Sequence, residues 1–371
     1  MRTTRLHTGW LSLSLLTLLA GCGAEPGTEL SSGEEGDTLL TEVPEFPGEP
    51  EAQSAPAAAS TGSMDPLGDV QSLTASSSGC LTNPSKSVIS GSYTSQYGGP
   101  PKSGSTVDAR GASWTMKDGW LSTPKASTDV CWVGGTFKLT VDDTSLSPTA
   151  AWANIWHHDG GETLKYNNTN WTFDGVAISH VGDAFNLSTG AQNFTIRNSH
   201  ISDVRDDCVQ NDDMHAGSVY GNFFDGCYSG FSARASSGVT PNDGHNNSFV
   251  IAFNLIWIKP MRSVYKGDSP GNAHLIKWEQ TNPQLAPKLV FAGNMVRVGK
   301  LPFQTGTSGT AFYFPPGTTF TNNVLYWDGP GTAPKSLTDW FNAAHNSRVV
   351  YTSTEWDKAV SDWRASHPDV K

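Results

Sequence analysis

Two stretches of this chain superpose over a shift of 23 residues, and that internal repeat constrains the fold more than any other feature. Trp171 falls on Phe194, Phe173 on Ile196, Ile178 on Ile201, Val181 on Val204, Asp183 on Asp206 and Phe185 on Cys208. A period of about two dozen residues is that of a solenoid, in which equivalent positions of successive turns lie directly above one another. Apolar residues alternate over short runs at 171–175, 194–198, 219–222, 250–254, 290–294 and 320–323. Alternation of that length specifies strands. The expected fold is therefore all-β, a single-stranded parallel β-helix. A β-sandwich would need hairpin turn signals that the sequence lacks.

Asn198, Asn222, Asn254, Asn294 and Asn323 recur at intervals of 24, 32, 40 and 29 residues. Stacked turns would set their amides in a ladder. The longer intervals mark insertions, and 233–247 and 259–288, rich in Gly and Pro, read as loops projecting from one side. The solenoid is placed at 79–335, with 80–170 as irregular first turns and an N-terminal cap that includes a strand-like piece at 136–141. Residues 336–371 read as a helical cap. Thr352 and Glu355 have capping-box spacing before Trp356, Val360 and Trp363, and Leu337, Trp340, Phe341 and Ala344 share one face of an earlier helix. Caps are expected because an open solenoid end exposes core and strand edges.

The N-terminus carries Arg2 and Arg5, then an apolar run from Leu11 to Ala20, and ends in Gly21-Cys22. Residues 1–21 read as an export signal, and the small-residue end before cysteine resembles the bacterial lipoprotein signal. That resemblance implies lipidation of Cys22 and anchorage in a cell envelope by the lipid alone. Residues 22–78 read as a disordered acidic linker, since 23–69 hold eleven acids and no Lys or Arg. The whole chain is −11, the signal contributes +2 and the linker −11, so residues 70–371 carry −2. A nearly neutral folded part offers no basic stripe for nucleic acid. The expected state is a monomer. Beyond Cys22, Cys80, Cys131, Cys208 and Cys227 make an even number for an exported protein, which suggests two disulfides. Three pairings are possible, of which Cys80–Cys131 and Cys208–Cys227 are the local ones.

Ten residues, Arg205 to Met214, set Asp206, Asp207, Asp212 and Asp213 around Cys208. Crowded carboxylates must share a proton, hold a cation or lower stability, which marks a candidate site. Neighbouring strands lie about 4.8 Å apart, so Asp183 and Asp206 are expected to face one another at that distance. One of a close carboxyl pair keeps its proton to higher pH, giving a general acid beside a base. The bland alternative leaves Asp183 and Asp206 as solvated turn residues neutralised by Arg205. Asp206, Asp207, Asp212 and Asp213 also suit calcium, a hard cation that takes several carboxylates. Tyr228, Arg234, Lys266, Lys277 and Trp278 offer cations and aromatic faces for an acidic sugar, with Tyr265 beside them. The histidines of His157-His158-Asp159-Gly160-Gly161-Glu162 would point oppositely on a strand, so that segment reads as a loop rather than a metal site.

A parallel β-helix with Asp206-Asp207-Cys208 followed a turn later by Cys227 resembles the polygalacturonase family of glycoside hydrolases over residues 171–280. The resemblance implies a right-handed helix, a Cys208–Cys227 disulfide, and a catalytic set of Asp183, Asp206 and Asp207 acting on an acidic polysaccharide such as pectin. Asp207 is the expected acid, with Asp183 and Asp206 positioning water and no cofactor needed. Three departures stand out. Phe231 occupies the family's histidine position, Leu275-Ile276-Lys277 keeps the lysine of its Arg-Ile-Lys segment without the arginine, and Asp183 lacks the preceding Asn-Thr. Parallel β-helix lyases, by contrast, use calcium with a Lys or Arg base, for which Lys266, Lys277 or Arg234 would serve. A non-catalytic glycan-binding or adhesive protein is the third reading.

Overall fold

The computed structural model describes residues 78–370, apart from 100, 118–120, 123–125, 141–145, 157–161, 165–167, 188–189, 236–239, 264–266, 272–273 and 300–313. The expected export signal, Cys22, the linker up to 77, His157 to Gly161, Tyr265 and Lys266 lie outside the described residues. The rest forms a parallel β-helix with three faces. On the first face Cys131–Val133, Thr172–Asp174, Phe194–Arg197, Gly217–Tyr220, Ser248–Ala252, Lys288–Ala292 and Thr319–Thr321 stack in parallel. On the second, Thr136–Leu139, Ala177–Val181, His200–Gln210, Phe223–Ala233, Leu255–Ile258, Met295–Val298, Val324–Trp327 and Arg348–Val350 do the same. The third is built of Glu162–Leu164, Phe185–Leu187, the far halves of the two eleven-residue strands His200–Gln210 and Phe223–Ala233, and Ile276–Trp278.

The coil interior is apolar and aromatic. Trp132, Trp171, Phe173, Phe185, Phe194, Phe224 and Phe231 are fully buried, each such burial worth about 2–3 kcal/mol. The 23-residue repeat is realised as register, with Phe173 opposite Ile196, Ile178 opposite Ile201 and Val181 opposite Val204. It fails at its last position. Phe185 lies opposite Val209, not Cys208, because the strand His200–Gln210 takes up one extra residue on the way. Phe231 likewise lies opposite Val209.

The corner between the first two faces is one left-handed residue, repeated at Gly134, Gly175, Asn198, Gly221, Phe253, Gly293, Asn322 and Asn346 with φ of 52–70°. Glycine and asparagine tolerate that region best, which explains most of the column. The residue after it forms the ladder. Asn222 N donates to Asn254 Oδ1 (3.0 Å), Asn254 N to Asn294 Oδ1 (3.1 Å) and Asn294 N to Asn323 Oδ1 (2.9 Å). Asn198 is therefore not a rung, contrary to the expectation from spacing. It occupies the left-handed position, and Ser199 takes its place, donating its amide to Asn222 Oδ1 while its hydroxyl accepts from Val176 N. Ser347 closes the other end by accepting from Asn323 N.

The coil begins where expected, and only its far end moves the expected boundary. Within 80–170 the described residues supply regular rungs, since Thr106–Met116 pairs in register with Cys131–Val133 and Thr136–Leu139; Lys86–Tyr93 is the first rung. Disulfides join Cys80 to Cys131 and Cys208 to Cys227, each with Cα atoms 5.9 Å apart. At the other end the coil continues beyond 335 through Arg348–Val350. The helix Lys335–Ala343 covers the core with Leu337 and Phe341, and Ala344 lies just past it. Among the described residues, the helix Thr354–Ser366 packs on the side of the coil rather than on its end. It runs along the outside of the second face, packing Trp356 and Trp363 on Phe223, Leu255, Met295 and Tyr326, and Trp363 Nε1 donates to Gly221 O (2.8 Å). Ser353 precedes it without a side-chain cap bond, so the Thr352 capping box does not form. The insertions leave from two corners rather than one side. Residues 233–247 join the third face to the first, whereas 259–275 join the second to the third and carry the hairpin of Met261–Ser263 and Gly267–Gly271.

Candidate functional site

The corner between the second and third faces holds the acids. Asp206 N donates to Gly182 O (3.0 Å) and Ala184 N to Asp207 O (3.1 Å), so both Asp206 and Asp207 stand opposite Asp183. This is a bulge, two residues against one. Consecutive residues of a regular strand point to opposite faces, but the bulge turns both carboxyl groups the same way. Asp183, Asp206 and Asp207 each present an oxygen within 4.8 Å of the others, and all three are buried. The Asp207 amide donates to Asp183 Oδ1 at 2.8 Å.

Lys277, on Ile276–Trp278 of the third face, sits among them. Its Nζ is 2.9 Å from Asp206 Oδ1 and 3.1 Å from Asp207 Oδ1. The first contact is a hydrogen bond and the second an ion pair, and the Ser229 side chain, opposite Asp207, also bears on the Asp207 carboxyl. Burial pushes the Asp207 carboxyl up; Lys277 pulls it back, Asp206 raises it further, and it stands at about 6. Burial alone would lower the Lys277 pKa, but Asp206 and Asp207 hold the ammonium charged well above the usual lysine value.

The site has a roof. The helix Pro148–Trp156 is inserted at this same corner; Pro148 opens it, and the Ser147 hydroxyl accepts the Ala150 amide (3.3 Å). Trp152 and Trp156, one turn apart, stack on one face with centroids 5.4 Å apart. Trp156 Nε1 donates to Asp206 Oδ2 at 2.9 Å. Trp152 packs edge-on to Tyr228 at 5.3 Å, and the Tyr228 hydroxyl bonds Ser263 Oγ on the hairpin at 2.9 Å.

Of the residues singled out from the sequence, Asp183, Asp206, Asp207 and Lys277 converge. Tyr228 is 3 % exposed and belongs to the roof. Arg234 is exposed and close enough to Lys277 to disfavour its charge. Trp278 is a core residue, stacked on Phe249 with its Nε1 donating to Pro287 O, which leaves it no face for a sugar. Asp212 and Asp213 do not join the cluster. Asp212 accepts from Gln210 and Ser232, and Asp213 from Asn242, so they tie the turn after the strand and the calcium set of four acids is not assembled. Among the described residues, Asp183, Asp206 and Asp207 are the one group of carboxylates, histidines or thiols close enough to hold a metal ion, and an ammonium already lies against two of them. Nor are these acids solvated and neutralised by Arg205, which pairs instead with Asp203. Burial works against that neighbouring carboxyl, yet bonds to His180 and Arg205 hold it well below the usual aspartate range. Phe231 stands where the resemblance asks for histidine, and it packs edge-on to Phe224 inside the coil.

Trp156 and Ser229 were not legible as site residues. A signal for the first existed in the i, i+4 tryptophans of Trp152-Ala-Asn-Ile-Trp156; Ser229, opposite Asp207, had none. No protein-family model, curated protein or solved structure matches the chain.

Proposed function

We propose that this is a carbohydrate-active enzyme that hydrolyses glycosidic bonds in an acidic polysaccharide at the corner formed by Asp183, Asp206 and Asp207. The observation that carries this reading is the convergence of three carboxyl groups within 4.8 Å, with Asp207 raised to about 6 beside two other acids. A carboxyl group of that kind holds its proton near neutrality and can give it to a leaving oxygen. Asp207 is the acid. Oxygens this close fall short of the roughly 6.5–9.5 Å that an interposed water requires, so Asp183 acts as nucleophile instead of positioning water. The Asp183 oxygen bonds to the anomeric carbon as the glycosidic C–O bond breaks, and the Asp207 proton goes to the departing hydroxyl. Water then attacks the same carbon, gives its proton to Asp207 and releases Asp183. The anomeric configuration is retained. No step calls for a metal.

Cys22 anchors the enzyme in the envelope of a bacterial cell by its lipid, and the acidic linker carries the domain, a monomer, toward its substrate. Incubation of the full chain with uronic-acid and neutral polysaccharides, with and without a chelator, tests the reading. New reducing ends of unchanged anomeric configuration, lost in Asp207→Asn, support it. Unsaturated products that vanish with chelator would establish a lyase instead.

The burial of all three acids beneath Trp156 favours one second reading, a glycan-binding β-helix in which Lys277 locks the corner as an ionic staple. In that case Asp207→Asn leaves glycan binding intact and no hydrolysis exists to abolish.

A further inference from the structure

Lys277 sets a primary amine against two carboxyl groups in a place that water hardly reaches. Its Nζ lies 2.9 Å from Asp206 Oδ1 and 3.1 Å from Asp207 Oδ1, and the side chains of Lys277, Asp206 and Asp207 are 10 %, 12 % and 4 % exposed. An amine and a carboxylic acid condense to an amide when they are held in contact, and orientation of that kind is worth effective concentrations of about 10⁵–10⁸ M. Exclusion of water removes the reactant that would reverse the step. The other Asp206 oxygen, Oδ2, accepts the Trp156 indole N–H at 2.9 Å, which is where an oxyanion donor belongs when a nucleophile attacks the carbon between the two oxygens. Nucleophile, neighbouring acid and oxyanion donor thus meet around one carbon.

We propose that Lys277 and Asp206 are the site of a self-catalysed isopeptide bond, with Asp207 as the proton relay, tying the strand His200–Gln210 to Ile276–Trp278. The ammonium first passes a proton to Asp206 Oδ1, which turns a buried ion pair into a neutral amine and a neutral acid. Nζ then bonds to the Asp206 carboxyl carbon, and Oδ2 takes the developing charge against the Trp156 N–H. Asp207 gives its proton to the Oδ1 hydroxyl and takes one from the amine, so the C–Oδ1 bond breaks and one water leaves. The amide keeps the last amine hydrogen, and Asp207 ends protonated as it began. Because both carboxyl groups favour the ammonium, the attacking amine is a minor form and the step a slow one; a single event per chain suffices. The bond spans 71 positions and straddles Phe223–Ala233, which pairs with both joined strands. The Cys208–Cys227 disulfide already ties the first of them to that middle strand, so three stacked strands become one covalent unit. Cross-links of this kind restrict the unfolded chain. The step leaves Asp183 and Asp207 as they were, so it stands independently of the hydrolase reading.

The test is a peptide map of the full chain by mass spectrometry, made after reduction and proteolysis. In the wild type the fragments that carry Asp206 and Lys277 should travel as one branched species, lighter by one water than their sum, with fragmentation placing the link at Asp206. Lys277→Arg keeps the positive charge and should give only linear fragments. In freshly synthesised chains, Asp207→Asn and Trp156→Phe should each slow the appearance of the branch by about a hundredfold or more, as removal of a proton relay or an oxyanion donor does. Linear fragments alone from folded wild-type protein overturn the proposal, as does a link at Asp207 or a rate that either variant leaves unchanged. None of these measurements reads hydrolysis. A wild type that cleaves no polysaccharide therefore removes the hydrolase reading, while the peptide map still decides the cross-link.

Discussion

Lys277 Nζ lies 2.9 Å from Asp206 Oδ1 although the two residues are 71 positions apart in the chain. Three coils of the solenoid are needed to bring them together, and the pair is almost wholly withdrawn from water. Removing one partner of a buried pair leaves an uncompensated charge, which costs about 3–5 kcal/mol. Lys277→Met should therefore unfold several degrees below the wild type in a calorimetric scan, and adding Asp206→Asn should recover part of the loss. A second-site change that recovers nothing would show the two groups to be uncoupled.

Stability should fall as pH rises through the window that Asp207 defines. Its folded value of about 6 lies above the ordinary aspartate value of 3.8, so the folded state binds the proton more tightly than the unfolded one. That contribution is fully present below about pH 4, declines between 4 and 6, and is gone above, with a span of about 2–3 kcal/mol. Asp203, held low by His180 and Arg205, acts in the opposite sense, and its stabilisation is lost as pH falls below the ordinary aspartate range. Urea midpoints measured from pH 4 to 7 should decline in the wild type and stay flat in Asp207→Asn.

Asn294 is the middle of the ladder. Its Oδ1 accepts from Asn254, and its Nδ2 donates to Ile251 O and Asn323 Oδ1. Asn294→Ala strands a buried amide and a buried carbonyl, at about 1–3 kcal/mol each. The melting temperature should drop accordingly, whereas Asn198→Gly, at a left-handed corner outside the ladder, should drop it far less.

Gly230 is required by close approach. A Cβ there would stand 2.3 Å from the carbonyl oxygen of Leu275, backbone that cannot rotate away. Gly230→Ala must push aside the strand Ile276–Trp278 and with it the Lys277 ammonium, so it should lose about 3 kcal/mol or more and disturb the Asp207 titration together. A variant with wild-type stability would contradict this packing.

The apolar periodicity of the chain specifies the parallel β-helix and the direction of its rungs, because a buried face repeats its apolar residues wherever turns stack. Ile178, Val181, Ile201 and Val204 fall where a 23-residue shift puts them. It also brought Asp183 to the Asp206–Asp207 pair. What alternation of period two cannot show is where a strand absorbs an extra residue. The bulge that turns two adjacent carboxyl groups to one side, and moves Val209 rather than Cys208 opposite Phe185, appears only in three dimensions. Nor can spacing tell a rung from the residue before it when serine replaces asparagine, as at Ser199. Above all, the ammonium of Lys277 and the indole of Trp156 reach Asp206 from insertions and coils remote in sequence. Local pattern reports which face a residue takes, whereas the partners of a buried charge depend on how distant segments pack in three dimensions.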